Sequence, residues 1–367
     1  MKAIASADGP TKHVEFETSG ALGLIVLKRA EALNALTHAM CIAIDRQLAA
    51  WATDAGIAVV VIRSAGDRAF CAGGDVRALY ECGIALKQGR PEGKEAQDFI
   101  RDEYRMNRRI KTYSKPFIAL IDGLIMGGGL GVSVHGSHRV ATERTLFSMP
   151  ETAIGLLPDV GASYVLPRLP HQMGAYLGLT GARIKAADMV ALGLATHFVP
   201  SVDVNDLLGD LVAADWSGDA HDVAGRVIGS RACSSGEDEL RQHFNRIQQC
   251  FAHDDVTDIL RALDTMDGAL MAEAAARIRA MSPTSLKLAL AANRRGRRLG
   301  FDDCIVMEYQ LIQSILTRHD FYEGVRALLI DKDREPEWQP TTLDAIDNAT
   351  LEDYFVPPPP GDLTFMD

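Results

Sequence analysis

The stretch KPFIALIDGLIMGGGLG, Lys115 to Gly131, constrains this chain more than any other. Pro116 ends a helix-like segment that runs from Asp98 to Lys111, and it opens Phe117 to Ile121, an apolar run that reads as a buried strand. A turn follows, and then three consecutive glycines, Gly127 to Gly129, open a helix. Backbone N–H groups at a helix start lack intrahelical acceptors and lie at the positive end of its dipole, so an anion or a developing oxyanion fits there. The alternative is a helix packed closely on a strand through small residues. A dinucleotide-binding loop fails on spacing: glycines at i, i+2 and i+5 would require one at Val132 or Val134. A nucleophile elbow fails too, because Ser133 follows Gly131 correctly but His135 stands where the second glycine belongs.

Around this segment, β-like and helix-like stretches alternate. VEFETSGALGLIVLKR reads as two short strands about the Gly20 to Gly23 turn, and Thr37 offers an N-cap to a helix running toward Trp51. The β-branched run Ile57 to Ile62 leads into a turn at Ser64 to Asp67. This alternation predicts an α/β layered fold. From about residue 200 the texture becomes helical, in Glu237 to Phe251, Val256 to Asp264 and Gly268 to Met281. Pro357 to Pro360 should form an extended tail segment.

With 367 residues, 47% of them hydrophobic, the chain can bury a full core. A formal charge of −11 argues against a nucleic-acid partner, which needs a broad basic surface, so any anionic ligand must be held locally. MKAIASADGPTKHVEF has no apolar run of signal-peptide length, and no stretch reaches bilayer-spanning length. No membrane partner and a cytoplasmic location are expected. Cys41, Cys71, Cys82, Cys233, Cys250 and Cys304 show no metal or disulfide pattern and read as reduced thiols packed as small hydrophobes.

Two further segments could carry chemistry. AFCAGGDV, Ala69 to Val76, follows a strand and turn, and its adjacent glycines let backbone amides approach a ligand; an ordinary surface turn is the other reading. SMPETAIGLLPDVGAS, Ser148 to Ser163, sets Glu151 and Asp159 after prolines on a looped path that could bring both carboxylates to one pocket as base or nucleophile and proton carrier. Both could equally be N-caps. His135 and His138 lack a third metal ligand nearby. The basic cluster Asn293 to Arg298 could meet a phosphate or form a solvated helix end, and Lys28 and Arg29 are similar candidates.

In this order the three segments resemble the crotonase superfamily over Val14 to Val199. The resemblance implies a spiral of β-β-α units forming an acyl-CoA-binding catalytic core over residues 1–200, with a mainly helical region over 201–367. It also implies an acyl-CoA thioester whose carbonyl is polarised by two backbone amides, here those of Gly74 and Gly128. Such preoriented donors are each worth about 10²–10³ in rate. Hydratases of the superfamily use two glutamates. The later one is Glu151, whereas the earlier falls at Gly131, and Asp159 stands where hydratases carry a small residue.

That exchange, with the wording MGGGLGVSVHG, RVATERTLFSMPETAIGLLPDVGASYVLPRLP and ALGLATHFV, resembles the 3-hydroxyisobutyryl-CoA hydrolases. MSPTSLK and HDFYEGVRALLIDKDREPEW extend the likeness through the carboxyl-terminal half, and Glu103 matches a substrate-contacting glutamate that would otherwise read as a solvated helix face. The resemblance implies hydrolysis of a short 3-hydroxyacyl-CoA, 3-hydroxyisobutyryl-CoA above all, in valine catabolism. Glu151 would attack the thioester or activate water, Asp159 would manage a proton or hold water and the substrate hydroxyl, and Glu103 would orient that hydroxyl. No metal or redox cofactor is expected, coenzyme A being part of the substrate. Whether copies associate through their carboxyl-terminal helices or the tail folds back is open. A hydratase or isomerase of the same fold, a dehydrogenase and a non-catalytic acyl-CoA-binding protein are the rivals.

Overall fold

The computed structural model describes residues 2–3, 12–359 and 361–365. Most of the amino-terminal stretch read for a signal peptide, and Pro360 of the proline run, lie outside the described residues. Proximity along the backbone gives two compact units, each made of three separate segments: Met1–Gly74, Arg105–Phe147 and Ile184–Glu239 in the first, and Asp75–Tyr104, Ser148–Arg183 and Leu240–Asp367 in the second. The division at residue 200 follows a change of secondary structure, whereas these units interleave.

The first unit carries the sheets, Ser148 excepted. Its strands are β1 Lys2–Ala3, β2 Val14–Ser19, β3 Leu22–Leu27, β4 Val59–Ser64, β5 Ala69–Cys71, β6 Phe117–Ile121, β7 Leu124–Met126, β8 His138–Ala141, β9 Leu146–Ser148, β10 Ile184–Lys185 and β11 His197–Phe198. One sheet has the order β1-β2-β3-β4-β6-β8-β11 and the other β10-β9-β7-β5. The β2–β3 pair is antiparallel, closed by a turn at Gly20 and Ala21 that is tighter than the Gly20 to Gly23 turn expected, since Leu22 and Gly23 already pair in β3, and β3, β4, β6 and β8 run parallel. Parallel strands covered on both faces should be apolar throughout, and all of β3 and β6 is buried. Alternate residues share a face. Leu22, Leu24, Val26, Val59, Val61, Ile118, Leu120 and Val140 therefore meet Leu207, Leu208 and Leu211 of the helix Val204–Ala213, and Ala224 and Ile228 of the helix Ala220–Arg231. On the opposite face, Gly23 leaves room for Trp51, whose ring carbons would lie 2.9 Å from an added Cβ. Thr37 caps His38–Thr53 as expected, its hydroxyl accepting from the Met40 amide.

The second unit is mainly helical. Met173–Thr180 is buried along its whole length and packs on Pro283–Gly296. That longer helix starts where the sequence dictates: the Ser282 hydroxyl accepts from the Ser285 amide, and Pro283 fills the first helical position. Val256–Thr265 and Ala269–Ala280 match their expected spans closely.

Several expectations change. The helix read from Asp98 begins at Lys94 and ends at Lys111. The helix read from Glu237 is regular only over Phe244–Phe251, because Gly236 takes a positive φ of 85° and a 3-10 turn at Arg241–His243 intervenes. The glycine-opened helix spans only Gly128–Gly131, as expected of residues with poor helix propensity. Pro357 and Pro358 have no regular structure, and the Gly361 amide then bonds to the Pro358 carbonyl in a turn, so the tail is not a continuous extended segment. Cys41, Cys71, Cys250 and Cys304 are buried, but Cys82 is only partly so and Cys233 is exposed. No helix among the described residues is long and apolar enough to cross a membrane.

Candidate active site

In the first unit the two glycine motifs adjoin each other. The residues after β5 are fixed by main-chain bonds from Leu36 N to the Gly73 carbonyl and from Ala72 N to the Leu33 carbonyl, while the Asn34 side chain donates to the Ala69 carbonyl. Gly73 has φ 111°, a region that side chains rarely enter, and a Cβ there would lie 3.4 Å from the Met126 carbonyl and 3.5 Å from the Gly128 nitrogen. The surface-turn reading of AFCAGGDV therefore gives way to a packed loop. Gly128 is buried at the start of its single helical turn. Gly129 faces the Cys71 carbonyl, which a Cβ would strike. Such a short helix has little macrodipole, so any anion affinity here resides in the local amides.

Gly131 has its own neighbour. A Cβ there would lie 2.5 Å from Nδ2 of Asn107. Asn107 is fully buried, and neither polar atom of its amide has a hydrogen-bond partner among the described residues. The sequence reading passed over this residue. Its only signal was a polar residue on the apolar side of an amphipathic helix.

In the second unit, carboxyl groups converge. Glu151 lies in the 3-10 turn Glu151–Ile154, and that turn is clasped by backbone: Ser282 N bonds to the Thr152 carbonyl, and a Cβ on Gly324 would lie 2.5 Å from the Ile154 carbonyl carbon. Glu151 is 6% exposed and Glu103 is 3% exposed. The solvated-face reading of Glu103 is thus excluded by its burial. Asp159 is partly exposed and accepts a 2.7 Å hydrogen bond from the Tyr104 hydroxyl. Neither Glu151 nor Asp159 caps a helix; the caps at these places are Pro150 and Gly161.

Burial, and then the charge of Asp159, push both Glu103 and Glu151 up to about 8. Burial also raises Asp159, to about 6, against the lowering effect of the Tyr104 hydrogen bond. The same environment raises the Tyr104 phenol. A fourth carboxyl, Glu308 in the helix Phe301–Ile315, is fully buried and accepts from the Gly161 and Ser163 amides at 2.7 Å each. Burial pushes it up to about 8, against those bonds. Tyr104 and Glu308 were missed in the sequence. Glu308 was findable, since Ile305, Leu311 and Ile312 place it on an apolar helix face where a carboxylate is rare.

The remaining candidates have other duties. Arg294 pairs with Asp254 and donates to Gln172 and the Phe251 and His253 carbonyls, and Arg295 pairs with Glu352. Arg297 is exposed and lines a cavity of about 490 Å³ with His171, Gln172, Gln248 and Asn293. Lys28 pairs with Glu15, and Arg29 donates to the Ala35 carbonyl. His138 stacks with His197 and His221, and burial lowers it to about 4. Among the described residues, no group of three or more His, Cys, Asp or Glu side chains is arranged to hold a metal ion.

Comparison with known proteins bears on the family of the chain. The family model for enoyl-CoA hydratase/isomerase matches residues 22–355. The 3-hydroxyisobutyryl-CoA hydrolase, mitochondrial, of Danio rerio is 44% identical over 347 residues, covering 94% of this chain and 89% of the relative. The human protein of the same name is 42% identical over 359 residues, covering 96% and 91%. Two solved structures align over nearly full length. A carnitinyl-CoA dehydratase from Mycobacterium thermoresistibile has a TM-score of 0.89 at 36% identity, covering 97% of this chain and 99% of that one. An enoyl-CoA hydratase from Rhodobacter sphaeroides has 0.87 at 37%, covering 96% and 100%.

Proposed function

Because the chain belongs to the enoyl-CoA hydratase/isomerase family, we propose that it is an acyl-CoA thioester hydrolase acting on 3-hydroxyisobutyryl-CoA. The observation that carries this reading is the pair Glu151 and Asp159, two carboxyls shifted by burial to different extents, one of them held by a tyrosine hydroxyl. Groups whose environments push their proton affinities apart are suited to complementary acid and base work. Of the two, Glu151 holds its proton the more tightly, and the Tyr104 hydrogen bond favours the charged form of Asp159.

In this reading the amides of Gly74 and Gly128 take the thioester oxygen as it gains charge. Asp159 accepts a proton, either from Glu151, which then attacks the carbonyl carbon to form a mixed anhydride, or from a water that Glu151 helps to place. Collapse of the tetrahedral species expels the coenzyme A thiolate, which takes up the proton held by Asp159 and leaves as the thiol; on the anhydride route water then attacks the Glu151 carboxyl carbon, which releases the hydroxy acid and restores Glu151. Glu103, whose burial favours the protonated form, can in that form donate to the substrate hydroxyl or accept from it. The chemistry requires no metal or redox cofactor. We extend the reading to valine degradation and to a cytoplasmic location, which growth on valine and cell fractionation would test.

The names of the two solved structures favour one rival, a hydratase. Water addition across a double bond would need a second glutamate at position 131, where this chain has glycine backed by Asn107. The deciding assay offers 3-hydroxyisobutyryl-CoA, 3-hydroxypropionyl-CoA and crotonyl-CoA while following free thiol and enoyl absorbance together. Thiol release from the hydroxyacyl substrates is expected; hydration of crotonyl-CoA without thiol release overturns the assignment. Single turnover in ¹⁸O water then separates the two routes, since only the anhydride route labels the Glu151 carboxyl.

A further inference from the structure

Asp159 is followed directly by a backbone conformation that the residue there does not favour. The next residue, Val160, has φ 53°, and a β-branched side chain in the left-handed region is strained. Such strain persists only where surrounding structure over-determines it. Gly161 follows at φ 88°, and the Ala162 amide closes the turn on the Asp159 carbonyl at 2.9 Å. The turn receives a second hold from far along the chain. Both carboxylate oxygens of Glu308 are engaged, Oε2 by the Gly161 amide and Oε1 by the Ser163 amide, each at 2.7 Å. At a buried site water cannot substitute for these bonds, so an amide that loses one is left unsatisfied.

We propose that Glu308 is a positioning residue: by clamping the Gly161 and Ser163 amides it enforces the strained Val160 turn and so fixes the Asp159 carboxylate on the Tyr104 hydroxyl. This rests on the hydrolase reading above for what Asp159 then does. Glu308 itself touches no reacting atom. A glutamine at 308 keeps the shape but can accept only through its carbonyl oxygen, leaving one amide facing an NH₂ group. Asp159 should then wander, while groups that bind the rest of the acyl-CoA stay in place.

The test is a double-mutant cycle between E308Q and D159N, read as kcat and KM on 3-hydroxyisobutyryl-CoA after circular dichroism has shown each variant folded. In the native background E308Q should lower kcat about 10–100-fold and change KM by less than about 3-fold. In the D159N background E308Q should change kcat by less than about 2-fold, because the residue it acts through is gone. Equal losses in both backgrounds overturn the proposal, since a merely structural role is additive. Two readouts on the unaltered protein do not depend on turnover or on a variant that folds. The Gly161 and Ser163 amides should be strongly protected from hydrogen exchange, and the ¹³C signal of the Asp159 carboxyl should show one conformation. Rapid exchange at both amides refutes the clamp even if hydrolysis is confirmed, whereas protection without any thioester turnover would retain the clamp and reject the hydrolase reading.

Discussion

The glycine region of the first unit and the carboxylate region of the second hold their functional atoms by different means. Around Gly74 and Gly128 the proposed working groups are main-chain amides, and what places them is the absence of side chains: Gly73 takes a φ of 111° that side chains rarely adopt, and Gly129 lies closer to the Cys71 carbonyl than a Cβ allows. Around Glu103, Glu151 and Asp159 the proposed working groups are side chains, and what tunes them is burial. The first arrangement is steric and indifferent to pH. The second is electrostatic, and its state of charge is set near neutrality by its surroundings.

Substitutions can test that contrast. The largest effect is expected from Glu151→Gln, which removes the group next to the chemistry: thiol release in single turnover should fall by about 10³-fold or more with KM little changed. Loss of binding instead of rate would remove Glu151 from the chemistry. Next comes Gly129→Ala, whose methyl strikes the Cys71 carbonyl and displaces the Gly128 amide. Its kcat should fall about 10²-fold at every pH, with about 1–3 kcal/mol lost in urea unfolding from the overpacking. A loss confined to one pH limb would contradict a steric role. Tyr104→Phe should be milder, about 5–10-fold at pH 6, because Asp159 loses the hydrogen bond that favours its charged form. Its affinity for a proton rises, so the acid limb of the pH–rate profile should move upward. An unmoved limb would remove Asp159 from that limb.

The smallest effect concerns stability. Folded Glu103 holds its proton until about 8, whereas the unfolded side chain releases it near the ordinary 4.5. The folded state therefore binds more protons between those values, and the contribution to stability is full below 4.5 and lost as pH rises through 8. Glu103→Gln cannot titrate, so its melting temperature should fall less between pH 5 and 9 than that of the unaltered protein. Calorimetry at both pH values measures it, and an equal fall in the two proteins would mean that Glu103 ionises normally.

The steric half was the more legible of the two. A glycine run declares itself in one dimension, and the strand before it reads from Phe117 to Ile121 as found, because a fully buried parallel strand is continuously apolar. The length of the glycine-opened helix was not legible, since glycines permit a helix without sustaining one. Glu151 and Asp159 stood out through their prolines and glycines, but nothing local showed that Glu103 is buried, that Tyr104 bonds to Asp159 or that Glu308 holds the Gly161 and Ser163 amides. Those facts depend on contacts with partners remote in sequence. Asn107 was hidden for a related reason: its importance appears only beside Gly131, and a side chain's neighbour across a fold has no period to betray it.

The interleaving of segments has a consequence for how such a chain comes into being. The bond between Gly161 and Glu308 spans 147 residues, and the turn bearing Glu151 is gripped by Ser282 and Gly324, so these contacts cannot form until nearly all of the chain has been synthesised. Long-range closures of this kind slow folding and prolong the exposure of unfinished apolar surface. A nascent chain stopped before residue 280 would contain both glycine motifs and all three candidate carboxylates. It should nevertheless emerge inert and prone to aggregate, the apparatus complete as text but without the late helices that set it.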